Sequence, residues 1–207
     1  MSKTRIAVLC SGGGTNLQAL IDAVHAGDID GEIVLVLANA SKAYALERAR
    51  QNGIEAAFVS KKSAGSAERY NDQVLAQLQR VHADLVVLAG YLPIVGGQIV
   101  RAYEHRIINI HPALIPSFCG VGMYGHHVHE AVIRAGVKVS GATTHFVDEQ
   151  VDHGGIILQR SVPVLEGDDA DTLAARVLTV EHQILPESVA LYCAGKLRVD
   201  GNRVHVL

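Results

Sequence analysis

The chain has 207 residues, 49% of them hydrophobic and 19% charged, with a formal net charge of -3. That length can bury one sizeable core, and that balance argues against a disordered or fibrous chain. No excess of Lys and Arg marks a nucleic-acid or membrane surface, while a compact anionic small molecule, which needs only a few donors, stays open. Cys10, Cys119 and Cys193 are far apart, odd in number and without metal-ligand spacing, so reduced thiols in a cytoplasmic protein are expected. The N-terminal stretch is too short for a signal peptide's apolar region, and no run approaches the ~20 apolar residues of a membrane span.

In chain order, residues 5–10 form an apolar run of strand length, followed by Ser11-Gly12-Gly13-Gly14 and a helix with Leu17, Leu20, Ile21 and Val24 on one face, ending at Gly27. Residues 32–38 read as a second strand, 42–51 as a helix and 55–59 as a third strand. A polar loop with Lys61, Lys62 and Gly65 follows. Ser66 starts a helix with Tyr70, Val74, Leu78 and Val81 on one stripe, and residues 84–89 make a very apolar strand. Apolar strands alternating with amphipathic helices predict an α/β fold: an open, twisted, mostly parallel sheet with helices on both faces.

Residues 91–95 read as an apolar loop, and a short helix over 98–105 feeds the stretch Ile107-Ile108-Asn109-Ile110-His111-Pro112. Side chains alternate along a strand, so Asn109 and His111 share a side, and Pro112 cannot continue a central ladder. An amide and an imidazole thus meet at a strand end, where open α/β sheets bind ligands. A turn-capping Asn109 beside a satisfied core His111 is the bland alternative. Residues 112–124 form a long irregular loop, of the kind that tends to be functional. A helix over 125–135, a strand over 138–147, a turn over 148–155 and a strand over 156–165 follow, the last two strands antiparallel. Leu173, Val177, Val180 and Ile184 give a long helix, with Glu181 off the stripe and Pro186 expected to kink or end it. Residues 196–206 resemble a small hairpin about Asp200-Gly201-Asn202.

Among candidate sites, Gly12-Gly13-Gly14-Thr15-Asn16 precedes a helix, whose backbone donors and positive end suit phosphate. A dinucleotide site fits poorly, because Leu17 replaces the third fingerprint glycine and no acid ends the second strand. A tight turn for helix packing is the alternative. His126, His127 and His129 are one and two apart on a helix and do not share a face, so solvent-facing or substrate-side roles are expected rather than metal binding. Asp152 is an acid in a glycine-containing turn, a common structural residue when taken alone.

Taken together, SGGGTNLQA at 11–19, VLAGYLPIV at 87–95, INIHPALIP at 108–116 and GATTHFVDEQVDHGGIIL at 141–158 resemble the phosphoribosylglycinamide formyltransferase family, across nearly the whole chain. The resemblance implies transfer of a formyl group from 10-formyltetrahydrofolate to the amine of glycinamide ribonucleotide in de novo purine biosynthesis, without a metal. It also implies one formyltransferase domain over 1–207, with a phosphate-binding half, 1–105, and a catalytic and folate half, 106–207. The family's catalytic Asn, His and Asp fall on Asn109, His111 and Asp152. Its phosphate loop falls on Gly12, Gly13, Gly14, Thr15 and Asn16, with Pro112 near the amine and Glu181 at the ribose. Its folate positions fall on Leu92, Pro93, Ile94 and Val95, with Val147 to Asp152, Val147 and Asp148 first among them, forming the other wall and Asn109 also at the folate. In that reading Asn109 and protonated His111 face the oxyanion, and Asp152 supports His111 and moves the amine proton through water.

The sequence departs from the family's pattern in places. Leu92-Pro93 stands for the usual Met-Arg, Cys119 for a common Pro and Gly155 for a frequent Pro, and residues 120–125 are a less usual Gly-Val-Gly-Met-Tyr-Gly. Lys61, Lys62 or Arg69 are the candidates to meet the folate glutamate tail. The expected partners are the two small molecules, with no nucleic acid or membrane, and the chain as monomer or homodimer. The rival readings are a formyltetrahydrofolate deformylase, which shares the three catalytic types, and a non-catalytic nucleotide- or folate-binding module.

Overall fold

The computed structural model describes residues 3–207; Met1 and Ser2, on which the reading of the N-terminal stretch partly rests, lie outside the described residues. The chain divides into two compact units, Met1–Ile108 and Asn109–Leu207.

In the first unit the strands β1 (Thr4–Cys10), β2 (Gly31–Ala38), β3 (Ala56–Phe58) and β4 (Leu85–Leu88) run in the order β3-β2-β1-β4, all parallel. Ile6 to Cys10 and Leu85 to Leu88 are buried without alternation, the signature of strands covered on both faces. Helices α1 (Thr15–Ala26), α2 (Tyr44–Gln51), α4 (Ala67–Arg80) and α5 (Gly97–Ala102) alternate with them, and α3 (Lys61–Ala64) is a single turn. The expected polar loop at 61–65 is therefore helical. Ser60 accepts the Ser63 N–H as an N-cap and Gly65 closes the turn in a left-handed conformation, an ending that hydrophobic periodicity cannot reveal.

Strand β5 (Ile107–His111) carries the chain from the first unit into the second. There β6 (Val139–Phe146), β7 (Ile156–Pro163), β8 (Leu197–Asp200) and β9 (Arg203–Val206) give the order β5-β6-β7-β9-β8. β6 and β7 are antiparallel, as are β8 and β9, whereas β9 meets β7 in parallel. The fold is thus a mostly parallel mixed sheet with helices and antiparallel strands toward the C-terminus. Helix α6 (His126–Ala135) ends at Gly136, and α7 (Ala170–Cys193) starts at a capping box of Asp169 and Thr172.

Two features of α7 sharpen the reading of its sequence. Pro186 does not end the helix, which runs on to Cys193: the missing N–H costs one bond, while Ile184, Leu185, Ser188 and Val189, all buried, pack both sides of the proline. Glu181 is buried, so the helix's interior face is wider than the apolar stripe.

Candidate active site

Asn109 and His111, two apart on β5, each meet polar partners within the second unit. Asn109 Nδ2 lies 3.0 Å from Nε2 of His145, which is buried on β6. His145 Nδ1 lies 2.8 Å from the Phe146 carbonyl. A carbonyl only accepts, so Nδ1 carries the hydrogen and Nε2 accepts from the amide. Burial holds the His145 imidazole below its ordinary pKa, which keeps it in that neutral, accepting form.

His111, also buried, is oriented from the loop that follows it. Its Nε2–H donates to the Phe118 carbonyl at 2.9 Å, which leaves Nδ1 as the nitrogen free to act. Asp152 Oδ2 lies 3.6 Å from that Nδ1, and Oδ1 lies 3.7 Å from His145 Nε2. These are ion-pair separations, too long for direct hydrogen bonds. The carboxylate is itself anchored: Oδ2 accepts the Gly120 N–H at 2.9 Å. Phe118 and Asp152 both adopt left-handed backbone conformations, with φ of 52° and 56°. For a phenylalanine this is uncommon, and such strain concentrates at functional sites.

The segment after Pro112 is held by Thr143 on β6. Its hydroxyl donates to the Ala113 carbonyl at 2.6 Å and accepts the Ile115 N–H at 3.1 Å. Cys119 donates its thiol hydrogen to the Pro116 carbonyl. Burial, and then the Asp152 charge, push that thiol above its ordinary pKa, so it is a poor nucleophile beside the site.

The remaining histidines divide. His126 and His127 are exposed and share Glu130, and His126 Nε2 also reaches Asp171 at 2.9 Å. His129 is buried, which leaves out the solvent-facing one of its two expected roles, because the third histidine of the run turns onto the inner face of α6 with Val128 and Val132. Among the described residues no group of three His, Cys, Asp or Glu side chains is arranged to hold a metal ion.

In the first unit, β1 and β4 are parallel neighbours, so the loops that leave their C-terminal ends lie side by side. Ser11 joins them. Its N–H donates to the Gly90 carbonyl at 3.0 Å and its Oγ accepts the Leu92 N–H at 2.8 Å. The Tyr70 and Tyr91 hydroxyls bond one another, and Asn71 Oδ1 accepts the Gly96 N–H, so loop 91–96 is pinned at three points. It presents Leu92 and Ile94, 54% and 66% exposed, as apolar surface. Gly14 caps α1 in the left-handed conformation. The Gly12 and Gly13 carbonyls are both occupied by α2, through the Ala45 N–H at 3.1 Å and Arg48 Nε at 2.8 Å.

The structure thus brings Asn109, His111 and Asp152 together in the second unit, where Val147 and Asp148 are half-buried and Glu181 buried. In the first, Ser11, which precedes the glycine loop, ties it to Gly90 and Leu92 at the start of loop 91–96. His145 was missed because a histidine inside an apolar strand reads as core. Its signal was its place two residues beyond Thr143, on the same strand side. Arg48 and Ser11 carried no such signal, since their contacts lie far away in sequence.

A family model described as Formyl transferase matches residues 4–189. Phosphoribosylglycinamide formyltransferase of Haemophilus influenzae is 39% identical over 98% of this chain and 93% of its own length. The chloroplastic phosphoribosylglycinamide formyltransferase of Vigna unguiculata is 40% identical over 96% of this chain, which spans only 64% of that relative. Glycinamide ribonucleotide transformylase 1 from Symbiobacterium toebii superposes with a TM-score of 0.95 at 42% identity, over 100% of this chain and 95% of that one. The chain belongs to the formyl transferase family, among the phosphoribosylglycinamide formyltransferases.

Proposed function

We propose that this chain transfers the formyl group of 10-formyltetrahydrofolate to the amine of glycinamide ribonucleotide, a step of de novo purine biosynthesis. The observation that carries the reading is the convergence of the Asn109 amide, the His111 imidazole and the Asp152 carboxylate within one unit. When bound, the folate supplies an activated formyl carbon. Attack by the amine puts negative charge on the formyl oxygen and a surplus proton on nitrogen.

Asn109 Nδ2 has two hydrogens. His145 accepts one, which leaves the other to serve as the oxyanion donor, the type of preorganised dipole that lowers such barriers most. His111 has its Nε2–H engaged by Phe118, so Nδ1 is the nitrogen that donates to the reacting oxygen or passes a proton on. Asp152 faces that nitrogen and draws the amine proton through a bridging water. No covalent enzyme intermediate is required, in keeping with the protonated Cys119 thiol.

For the substrates, the exposed Leu92 and Ile94 suit the flat apolar rings of a folate, with Pro93, Val95, Val147 and Asp148 assigned to the same ligand. The phosphate is assigned to Gly12, Gly13, Gly14, Thr15 and Asn16 at the head of α1, the ribose to Glu181 and the amine to the neighbourhood of Pro112. Lys61, Lys62 and Arg69, all exposed, are the candidates for the glutamate tail. We assign the chain to the cytoplasm, as monomer or homodimer with two small-molecule partners. The cysteines are free, and among the described residues no helix is long and apolar enough to cross a membrane.

The test mixes the protein with 10-formyltetrahydrofolate, with and without glycinamide ribonucleotide. Tetrahydrofolate release that requires the ribonucleotide, with formylated ribonucleotide as coproduct, supports the reading. Release at the same rate without it favours a deformylase, and no release favours a binding module.

A further inference from the structure

In the glycine loop three successive carbonyls are occupied from within the protein: Gly12 O accepts the Ala45 N–H, Gly13 O accepts Arg48 Nε and Gly14 O accepts the Gln18 N–H. In a trans peptide the N–H points opposite to the C=O. The N–H groups of Gly13, Gly14 and Thr15 therefore all face away from those partners, as a run of donors at the positive end of α1. The weak member of that run is the peptide between Gly13 and Gly14. Both flanking residues tolerate either sign of backbone angle, so this plane can flip at little steric cost and turn a carbonyl where a donor is needed. Packing does not prevent it at Gly13, around which even an added Cβ would meet nothing within 4 Å.

We propose that Arg48 is the positioning residue that locks the Gly13-Gly14 peptide with its N–H toward the substrate phosphate. It does so without touching the phosphate. The guanidinium is itself held, with Nη1 donating to Gln18 Oε1 at 3.1 Å and the group lying over the Tyr44 ring, 5.1 Å from its centroid. Its charge-assisted bond to the Gly13 carbonyl opposes the flip, and the adjacent positive charge favours an anion on the donor side. This inference rests on the assignment of the loop to the phosphate.

The experiment compares Arg48→Met and Arg48→Gln with the wild type. Gln places an amide nitrogen at the same point along the side chain as Arg Nε, whereas Met places a methyl group there. Arg48→Met is expected to raise the KM for glycinamide ribonucleotide and weaken competition by inorganic phosphate, each about tenfold, the factor expected of one hydrogen bond to a charged donor. The kcat and the KM for 10-formyltetrahydrofolate stay within about twofold, as they must if only ribonucleotide binding is affected. Arg48→Gln recovers most of the loss. Wild-type phosphate competition in Arg48→Met overturns the proposal. So does an Arg48→Gln variant as weak as Arg48→Met, which would make the effect one of bare charge. So does a parallel fall in kcat and melting temperature, which would make it general loosening. If inorganic phosphate fails to compete with the ribonucleotide in the wild type, the phosphate assignment itself fails and the lock falls with it.

Discussion

Asn109 Nδ2 and His145 Nε2 stand 3.0 Å apart, and the direction of that hydrogen bond is set from the far side of the ring, where Nδ1 donates to the Phe146 carbonyl. The ring therefore decides which way the Asn109 amide faces. If the nitrogen is the oxyanion donor, loss of His145 lets the amide rotate and removes much of what loss of Asn109 removes. His145→Ala is expected to lower kcat about a hundredfold, the usual size of one oxyanion donor. The His145→Ala, Asn109→Ala double variant should be little worse than Asn109→Ala alone, because residues that act as a unit do not add. Steady-state kinetics of the four forms measures this, and additive losses would remove His145 from the assignment.

Asp152 sits in a left-handed turn, with φ of 56°, and accepts the Gly120 N–H. Asparagine tolerates that conformation and keeps an acceptor, so Asp152→Asn preserves the loop while it deletes the charge that faces His111 and His145. The expected result is a fall in kcat of about two orders of magnitude, as for loss of a positioned proton carrier. The KM for glycinamide ribonucleotide should change little. Turnover like that of the wild type would sink the assignment.

The parts of the fold legible in the sequence were those written as periodicity. The stripes of α1 and α4 and the unbroken apolar runs of β1 and β4 follow directly from what each face must bury. The two-residue spacing of Asn109 and His111 was legible for the same reason. What escaped was set by individual caps and contacts, local or distant, that leave no periodic trace. The turn α3 depends on a local Ser60 cap, and Pro186 is tolerated because its neighbours are packed. His129 and His145 look alike as letters and differ in burial partners. Arg48 reaches back to Gly13, 35 residues away in sequence, a bond that no local pattern encodes.

Gly14 combines a left-handed φ of 72° with close packing: an added Cβ would lie 2.8 Å from the Ala45 Cβ and 2.9 Å from its Cα. The first cost alone is about 1–2 kcal/mol for an L residue, and the second pushes α2 away from the carbonyls it holds. Gly14→Ala is expected to lower the melting temperature by several degrees and to weaken phosphate competition. Gly12→Ala is the contrast, since its Cβ meets nothing within 4 Å and its φ is ordinary. It should melt close to the wild type. Equal melting temperatures for the two variants would show that the α2 contact does not constrain the loop.

His129 makes stability depend on pH in a defined direction. Burial, followed by the charges of His126 and His111, lowers its pKa to about 4 from an ordinary 6.5, and its Nδ1 has no hydrogen-bond partner among the described residues. Between those values the unfolded chain binds a proton at this position that the folded chain refuses, so stability falls as pH drops from 6.5 towards 4 and levels off below. At pH 5 the loss from this one group is about 2 kcal/mol. His145 and His182, also held low by burial, act in the same direction. His129→Phe removes one titrating group, and any constant packing cost cancels when the same protein is compared at two pH values. Urea unfolding at pH 7 and pH 5 should therefore show a smaller drop for the variant than for the wild type. An equal drop in both would place the pH sensitivity of the second unit elsewhere than on the inner face of α6.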